Sequence, residues 1–323
     1  MESRSDTSPA AAGWDTYWHG ARHGAAFSSG GTSHPLVLSF WRDFFSTVRE
    51  DHVRLRIADI ASGSGAVVEC ARTVLDGLPA EFTCIDISES AISTLVDRFP
   101  EVSGVVADAR AIPLESESYD VAASQFGIEY AGLEAIDEML RLPASGGRLA
   151  LLLHHRNGGI YRQCAASLDA IRMMQAAGFV PHAIAMFEAG FAACRGESRV
   201  AYESAVRQLN PAVRAMESIM KKHGREVADG TIVRMYKDVA TIHGRLPHYE
   251  PSGVLGWLRG METELEAYAD RMASMCAAAI DAKAFARLRD KLESENYTIV
   301  RGEPLANAQT VAPLAWALIA TKG

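Results

Sequence analysis

The sequence predicts a doubly wound, mostly parallel α/β sheet of seven strands with a large helical insertion between the fifth strand and the last two. Three observations carry that reading. Between residues 55 and 153, short runs rich in Val, Ile, Leu and Ala alternate with helical stretches, the pattern of strands covered by helices on both faces. From about residue 161 to 294 a stretch dense in Ala, Met, Glu and Arg shows no convincing strand. Two apolar runs then return at the carboxyl end. At 323 residues and 48% hydrophobic composition, there is enough apolar mass for a real core.

Taken in order, residues 1–13 are rich in Ser, Ala and Pro and are expected to be disordered; they lack the basic start and apolar run of a secretion signal. Residues 14–50 are expected to form an N-terminal helical cap. Residues 51–156 and 296–323 form the core, with strands at 56–60, 81–86, 104–107, 119–125 and 147–154. Crossover helices are expected at 66–75, 90–99 and 133–140. The insertion, 157–295, is punctuated by Gly178, Pro181, Gly196, Pro211, Gly224, Gly244, Pro247 and Pro251 into about six helices. Its clearest apolar stripe runs through Leu258, Met261, Leu265, Tyr268, Met272, Met275 and Ala279. The last strands are expected at 297–301 and 314–321. The most apolar tract, 311–320, is about half the length of a membrane-spanning helix and contains Pro313, so it reads as a buried strand and no membrane is implied.

Composition excludes some partners. With 40 acidic against 32 basic residues, a net charge of -8 opposes a broad phosphate-binding surface and argues against DNA or bulk RNA. The five cysteines are scattered, suiting neither a disulfide framework nor a zinc ligand set, so a reducing cytoplasm is the expected setting. His223, His243 and His248 in the insertion have no ligand-set spacing, and no metal is expected. The many methionines of the insertion suit an irregular apolar pocket, helix packing or a homodimer interface.

The chemistry concentrates in Ile57-Ala58-Asp59-Ile60-Ala61-Ser62-Gly63-Ser64-Gly65, an apolar strand running through a turn of small residues into a helix. Small residues let backbone amides approach a ligand, and the helix presents its positive end to it. About twenty residues on, the second strand ends at Asp86, where this architecture holds ribose hydroxyls. A nicotinamide cofactor is disfavoured because Val68 stands where its fingerprint wants a third Gly or Ala. Asp59 at the strand end suits an ammonium group better than a pyrophosphate.

On these residues the sequence resembles the class I S-adenosylmethionine-dependent methyltransferases, in particular their small-molecule group, over residues 57–153 and more weakly over the last strands. The resemblance implies that Asp59, Ala61, Ser62, Gly63 and Gly65 hold the methionine part of S-adenosylmethionine and that Asp86, with Ile87 beside it, meets the ribose. It further implies that Asp108 and Ala109 meet the adenine, and that Tyr119-Asp120-Val121 and Gly146-Gly147-Arg148-Leu149 open strands four and five. Ala61 departs from the family's first glycine. Beyond strands four and five, Gln125 and Phe126 are expected near the cofactor, and His154 or His155 is expected to take a proton from an acceptor. Tyr17, beside Trp14 and Trp18, either covers the cofactor or anchors its helix. The implied activity is methyl transfer to O or N of a small, partly apolar metabolite. The alternatives are a noncatalytic cofactor-binding scaffold, or an enzyme acting on a protein or RNA.

Overall fold

A computed structural model describes residues 14, 15, 18, 33–132, 134–308 and 312–323, so the expected tail at 1–13 and Tyr17 lie outside the described residues. The chain divides into a sheet unit, Met1–Tyr161 with Ala278–Gly323, and a helical unit, Arg162–Ala277.

In the sheet unit, helix α1 (Pro35–Asp51) precedes β1 (Leu55–Ile60), α2 (Ala66–Val74), β2 (Ala80–Asp86), α3 (Glu89–Arg98) and β3 (Ser103–Val106). Then come β4 (Tyr119–Gln125), a 3-10 turn (Ile128–Ala131), α4 (Ala135–Leu140) and β5 (Pro143–His154). Proline opens α1, where its missing N–H costs nothing, and the His34 side chain accepts from the Leu36 N–H. Its Val37, Phe40, Trp41, Phe44, Phe45 and Val48 make one buried face.

The seven strands run in the order β3-β2-β1-β4-β5-β7-β6, where β6 is Tyr297–Leu305 and β7 is Ala315–Lys322. The first five are parallel, and β7 is antiparallel to both β5 and β6. Because the chain winds outward from β1 to β3 and then returns to lay β4 on the other side, the strand order reverses between β1 and β4. Such a reversal leaves a crevice at the carboxyl ends of the strands.

Three boundaries differ from expectation, each for a physical reason. Strand β6 continues to Leu305 through Pro304, which an edge strand tolerates because one row of its amides needs no partner. Strand β5 begins at Pro143, four residues before the expected start, across a register irregularity between Tyr119 and Val121. Residues 282–294 are not part of the helical unit. Helix α10 (Ala282–Ser294) buries Phe285, Leu288 and Leu292 in the same cluster as Tyr297, Trp316 and Leu318 of the sheet.

The helical unit carries α6 (Phe179–Cys194), α7 (Arg199–His223) and α8 (Thr231–Gly244), with most of α5 (Gly159–Ala176) and α9 (Pro251–Ala278). Pro211 does not break α7 as expected. The buried positions Ala205, Leu209, Ala212, Met216 and Ile219 lie on both sides of it, and their packing outweighs a local penalty of about 3 kcal/mol. Among the described residues no single helix is long and apolar enough to cross a membrane, although the bent pair α5 and α6 passes by length and composition.

Candidate functional site

The crevice is built first by the turn after β1. Ala61, Gly63 and Gly65 all take left-handed backbone conformations, with φ of 55°, 52° and 89°. Alternating these with ordinary residues folds the chain tightly enough for the Ser62 N–H to reach Ile85 O at 3.0 Å and the Gly65 N–H to reach Ser62 O at 3.0 Å. Asp86, at the end of β2, locks the turn from below: one oxygen accepts the Gly63 N–H at 2.9 Å and the other the Ser88 N–H at 3.0 Å. Gly65 is also the N-cap of α2, whose positive end therefore faces the crevice.

Asp59 sits one residue before the end of β1 and is only 1% exposed. Neither of its carboxylate oxygens, nor the Ser62 Oγ above it in the chain, has a hydrogen-bond partner among the described residues. Burial, and after it the nearby charge of Asp86, pushes the Asp59 carboxyl well above the ordinary carboxylate range. Asp86 is raised as well by burial, opposed by the backbone N–H groups of Ser88, Gly63 and Ile87. Asp108 differs: Arg110 grips it in a fork, with Nε 3.0 Å from one oxygen and Nη2 2.6 Å from the other, and holds its carboxyl below the ordinary value. Ala109 is buried in the core cluster that also holds Ile85 and Ile112.

Residues from the N-terminal segment reach these turns. Asp15 Oδ1 accepts from Ser88 Oγ at 2.6 Å and from the Ser90 N–H at 3.1 Å, and hydrogen bonding from Ser88 and Ser90 holds its carboxyl low despite the opposing cost of burial. The Trp18 indole lies so close over Gly63 that a side-chain carbon there would stand 2.6 Å from the ring. Trp14 meets Tyr130 edge to face at 5.0 Å. Of the aromatics singled out before the sheet, Trp14 and Trp18 therefore stand at the crevice.

On the other side, the end of β4 turns sharply. Phe126 has φ of 53°, and its N–H donates to Leu152 O at 2.8 Å. Gly127 follows, and a side-chain carbon there would lie 2.5 Å from the Ala61 Cβ, so its lack of one lets the two turns touch. The Gln125 side chain is turned to α1, where its Oε1 accepts from the Trp41 indole N–H.

Strand alternation, which sends consecutive side chains to opposite faces, separates His154 from His155. His154 is fully buried, its ring 4.6 Å from that of Phe126 and 5.8 Å from that of Tyr130. His155 instead stacks on Trp316 at 4.2 Å and hydrogen-bonds the Arg156 carbonyl, so it is not brought to this group. The residue that sequence reasoning missed is Glu129. Its Oε1 lies 2.8 Å from His154 Nδ1 and accepts the His154 backbone N–H at 2.9 Å. An acid four residues beyond a strand carries no periodic signal, and only the turn at Phe126 and Gly127 aims it back at β5. In the helical unit His223 pairs with Asp169 at 2.9 Å and His243 with the Tyr202 hydroxyl at 2.6 Å. No group of three or more His, Cys, Asp or Glu suited to a metal occurs among the described residues.

With this geometry in hand, residues 57–147 match the family model of a methyltransferase domain. An uncharacterized methyltransferase of Schizosaccharomyces pombe is 30% identical over 141 residues, 43% of this chain and 53% of that protein. A ubiquinone/menaquinone biosynthesis C-methyltransferase of Campylobacter jejuni is 30% identical over 117 residues, 34% of this chain and 50% of that protein. The chain thus spans about half the length of the curated relatives it matches. A crystal structure of a SAM dependent methyltransferase from Aquifex aeolicus superposes with a TM-score of 0.32 at 16% identity, covering 38% of this chain and 70% of that one.

Proposed function

We propose that this chain, whose residues 57–147 match the model of a methyltransferase domain, binds S-adenosylmethionine across the carboxyl ends of β1, β2 and β4 and transfers its methyl group to a small, partly apolar metabolite at O or N. One observation carries the reading. Asp59 is a buried carboxylate with no donor among the described residues, at the head of a turn whose backbone is folded to admit a ligand. An unpaired buried charge is costly, and a ligand ammonium group would offset that cost.

The residues present fit the cofactor, with one qualification in chemistry. Asp59 and Ser62 would meet the amino-acid end, with the amides of the turn through Gly65 close by. Asp86 accepts backbone N–H groups on both oxygens and still has lone pairs left for ribose hydroxyls. Ile87, half-buried, would offer apolar surface to a purine, whereas the Ala109 side chain is buried in the core. Asp108 would have to share its carboxylate between an adenine amino group and Arg110. When bound, the cofactor supplies an electrophilic methyl on a cationic sulfur. The chain's own residues then have to orient the acceptor in line with it and keep water out, and the aromatic faces of Phe126 and Trp18 suit a sulfonium neighbour. Methyl transfer is also the activity in the names of the relatives. The C-methylation in the name of the Campylobacter jejuni relative is said of that protein, and the acceptor atom of this chain is read from its own residues.

Calorimetric titration of the purified protein with S-adenosylmethionine tests the reading, with NAD as the competing ligand. Micromolar binding of the first and none of the second is expected. No binding of S-adenosylmethionine by folded protein overturns the reading.

A further inference from the structure

We infer that Glu129 is the positioning residue of a Glu129–His154 pair in which His154 takes the proton of the methyl acceptor, which assigns the acceptor to the class of hydroxyls and neutral N–H nucleophiles that must lose a proton. This rests on the methyl-transfer reading above. The pair is made within the sheet unit: Glu129 comes from the 3-10 turn after β4 and His154 from the last position of β5.

Three features point to a proton-handling role. First, Glu129 Oε1 accepts the His154 backbone N–H, and an ionised carboxylate has only acceptor capacity, so the ring nitrogen 2.8 Å from it, Nδ1, is the one that carries hydrogen. In the neutral ring the lone pair then belongs to Nε2, on the opposite edge. Second, the ring is tied to the cofactor turn through one neighbour: Phe126 lies tilted against it, ring centroids 4.6 Å apart, and the next residue, Gly127, packs directly on Ala61. Third, the carboxylate is a costly way merely to pin a strand end. The Glu129 side chain is 1% exposed, and its Oε2 has no hydrogen-bond partner among the described residues. A glutamine would accept the same two N–H groups without a buried charge. A carboxylate repays its burial when the imidazole beside it becomes cationic, which is what proton uptake does.

The step balances. The acceptor atom forms its bond to the methyl carbon with its own electron pair, and the carbon–sulfur bond breaks with its electrons left on sulfur as a neutral thioether. The acceptor's proton passes to His154 Nε2. The resulting imidazolium is held beside the Glu129 carboxylate until it returns the proton to solvent after product leaves.

The test uses NMR of the full chain with 15N-labelled histidine, with the His154 signals identified by their loss in His154→Asn. Long-range proton–nitrogen correlations report which ring nitrogen carries hydrogen and, at a fixed pH, the ratio of charged to neutral ring. The proton is expected on Nδ1. The ratio is expected to be lower by about threefold or more with S-adenosylmethionine bound than with S-adenosylhomocysteine, because only the first brings a sulfonium charge to the ring. In Glu129→Gln the ratio is expected to fall by about tenfold or more while affinity for S-adenosylmethionine stays within about threefold. A proton on Nε2, equal ratios with the two ligands, or an unchanged ratio in Glu129→Gln each overturns the pair's role. The two-ligand comparison needs only wild type and so decides the matter even where the variant fails to fold. Absence of S-adenosylmethionine binding overturns the methyl-transfer reading itself, whereas binding with an unresponsive ring overturns the pair alone.

Discussion

Two buried carboxylates, Asp59 near the end of β1 and Glu129 beyond the end of the neighbouring β4, are treated differently by the fold. Asp59, at the end of β1, has no hydrogen-bond partner among the described residues, and burial keeps its carboxyl raised. Glu129, beyond the end of β4, is given an imidazole and a backbone N–H at 2.8 and 2.9 Å. On the proposed reading the ligand completes the β1–β2 side, whereas on the β4–β5 side the chain supplies partners of its own. Polar groups on the first side should matter to ligand binding more than to folding, and the reverse should hold where the two sides meet.

The largest effect is expected at Asp86, which fixes the turn on the first side through Gly63 and Ser88. Asp86→Ala frees both N–H groups and removes the acceptor expected for ribose. Affinity for S-adenosylmethionine should fall at least about 100-fold by calorimetry, equivalent to about 2.7 kcal/mol. Binding within threefold of wild type would mean that the first side does not hold the ligand. Next is Gly127→Ala, placed where the two sides touch. The added carbon would stand 2.5 Å from Ala61 Cβ and 2.8 Å from Ala61 O, and the second of these is a backbone atom that cannot rotate away. A loss of about 1–3 kcal/mol in denaturant unfolding is expected, as for other overpacked sites. An unchanged midpoint would break the claim that the two turns are in contact.

How much of this could be read from the sequence follows the same division. The first side is a local feature: the strand, turn and acid of 57–65 are contiguous, so small-residue spacing singles out Asp59, Gly63 and Gly65, and the end of the next apolar run singles out Asp86, without any tertiary information. Strands β1, β2 and β4 were legible because a strand buried on both faces is a continuous apolar run. The second side is tertiary. Glu129 meets His154 across 25 residues only because Phe126 adopts a left-handed backbone and Gly127 leaves room for it. Nothing in composition distinguishes Glu129 from a solvated acid, nor His154 from His155 until strand alternation separates them. Gln125 looked equally close to the ligand, yet its carbonyl is taken by Trp41, a partner 84 residues away. Pro211 and helix α10 failed for a related reason, since packing rather than local propensity decided both.

A pH titration sharpens the contrast at Asp59. Its carboxyl is raised in the folded protein, so on acidification the folded state takes up a proton before the unfolded state does. This group's contribution to unliganded stability is therefore fully present below the ordinary carboxylate range and is lost as pH rises through the raised value. A ligand ammonium needs the ionised form, so affinity for S-adenosylmethionine should move the opposite way and weaken as pH falls through that raised value. Asp86 is raised in the same direction and adds to the effect. Asp59→Asn should weaken affinity about tenfold at pH 8, as expected for loss of a charge-assisted bond of about 1.5 kcal/mol. It should also flatten the pH dependence and raise the unliganded melting temperature by about 2–4 °C. Destabilisation by Asp59→Asn would show that the carboxylate has a structural partner after all.

The smallest effect is expected at Ala61, and its value lies in its coupling. An alanine at φ of 55° pays for the left-handed conformation, so Ala61→Gly relieves strain of about 1–2 kcal/mol. Glycine also enlarges the unfolded ensemble and gives back about 0.4–1 kcal/mol, leaving a net gain of less than about 1.5 kcal/mol in denaturant unfolding. The side chain being removed is the one nearest to a carbon added at Gly127, while the Ala61 carbonyl at 2.8 Å stays where it was. The double variant Ala61→Gly with Gly127→Ala should therefore recover part of the Gly127→Ala loss, more than the Ala61→Gly gain alone supplies, and a coupling of about 0.5–1 kcal/mol is expected. Simple additivity would mean that the cost at Gly127 comes from the carbonyl alone. In that case the alanine at position 61 is neutral to the meeting of the two sides rather than shaping it.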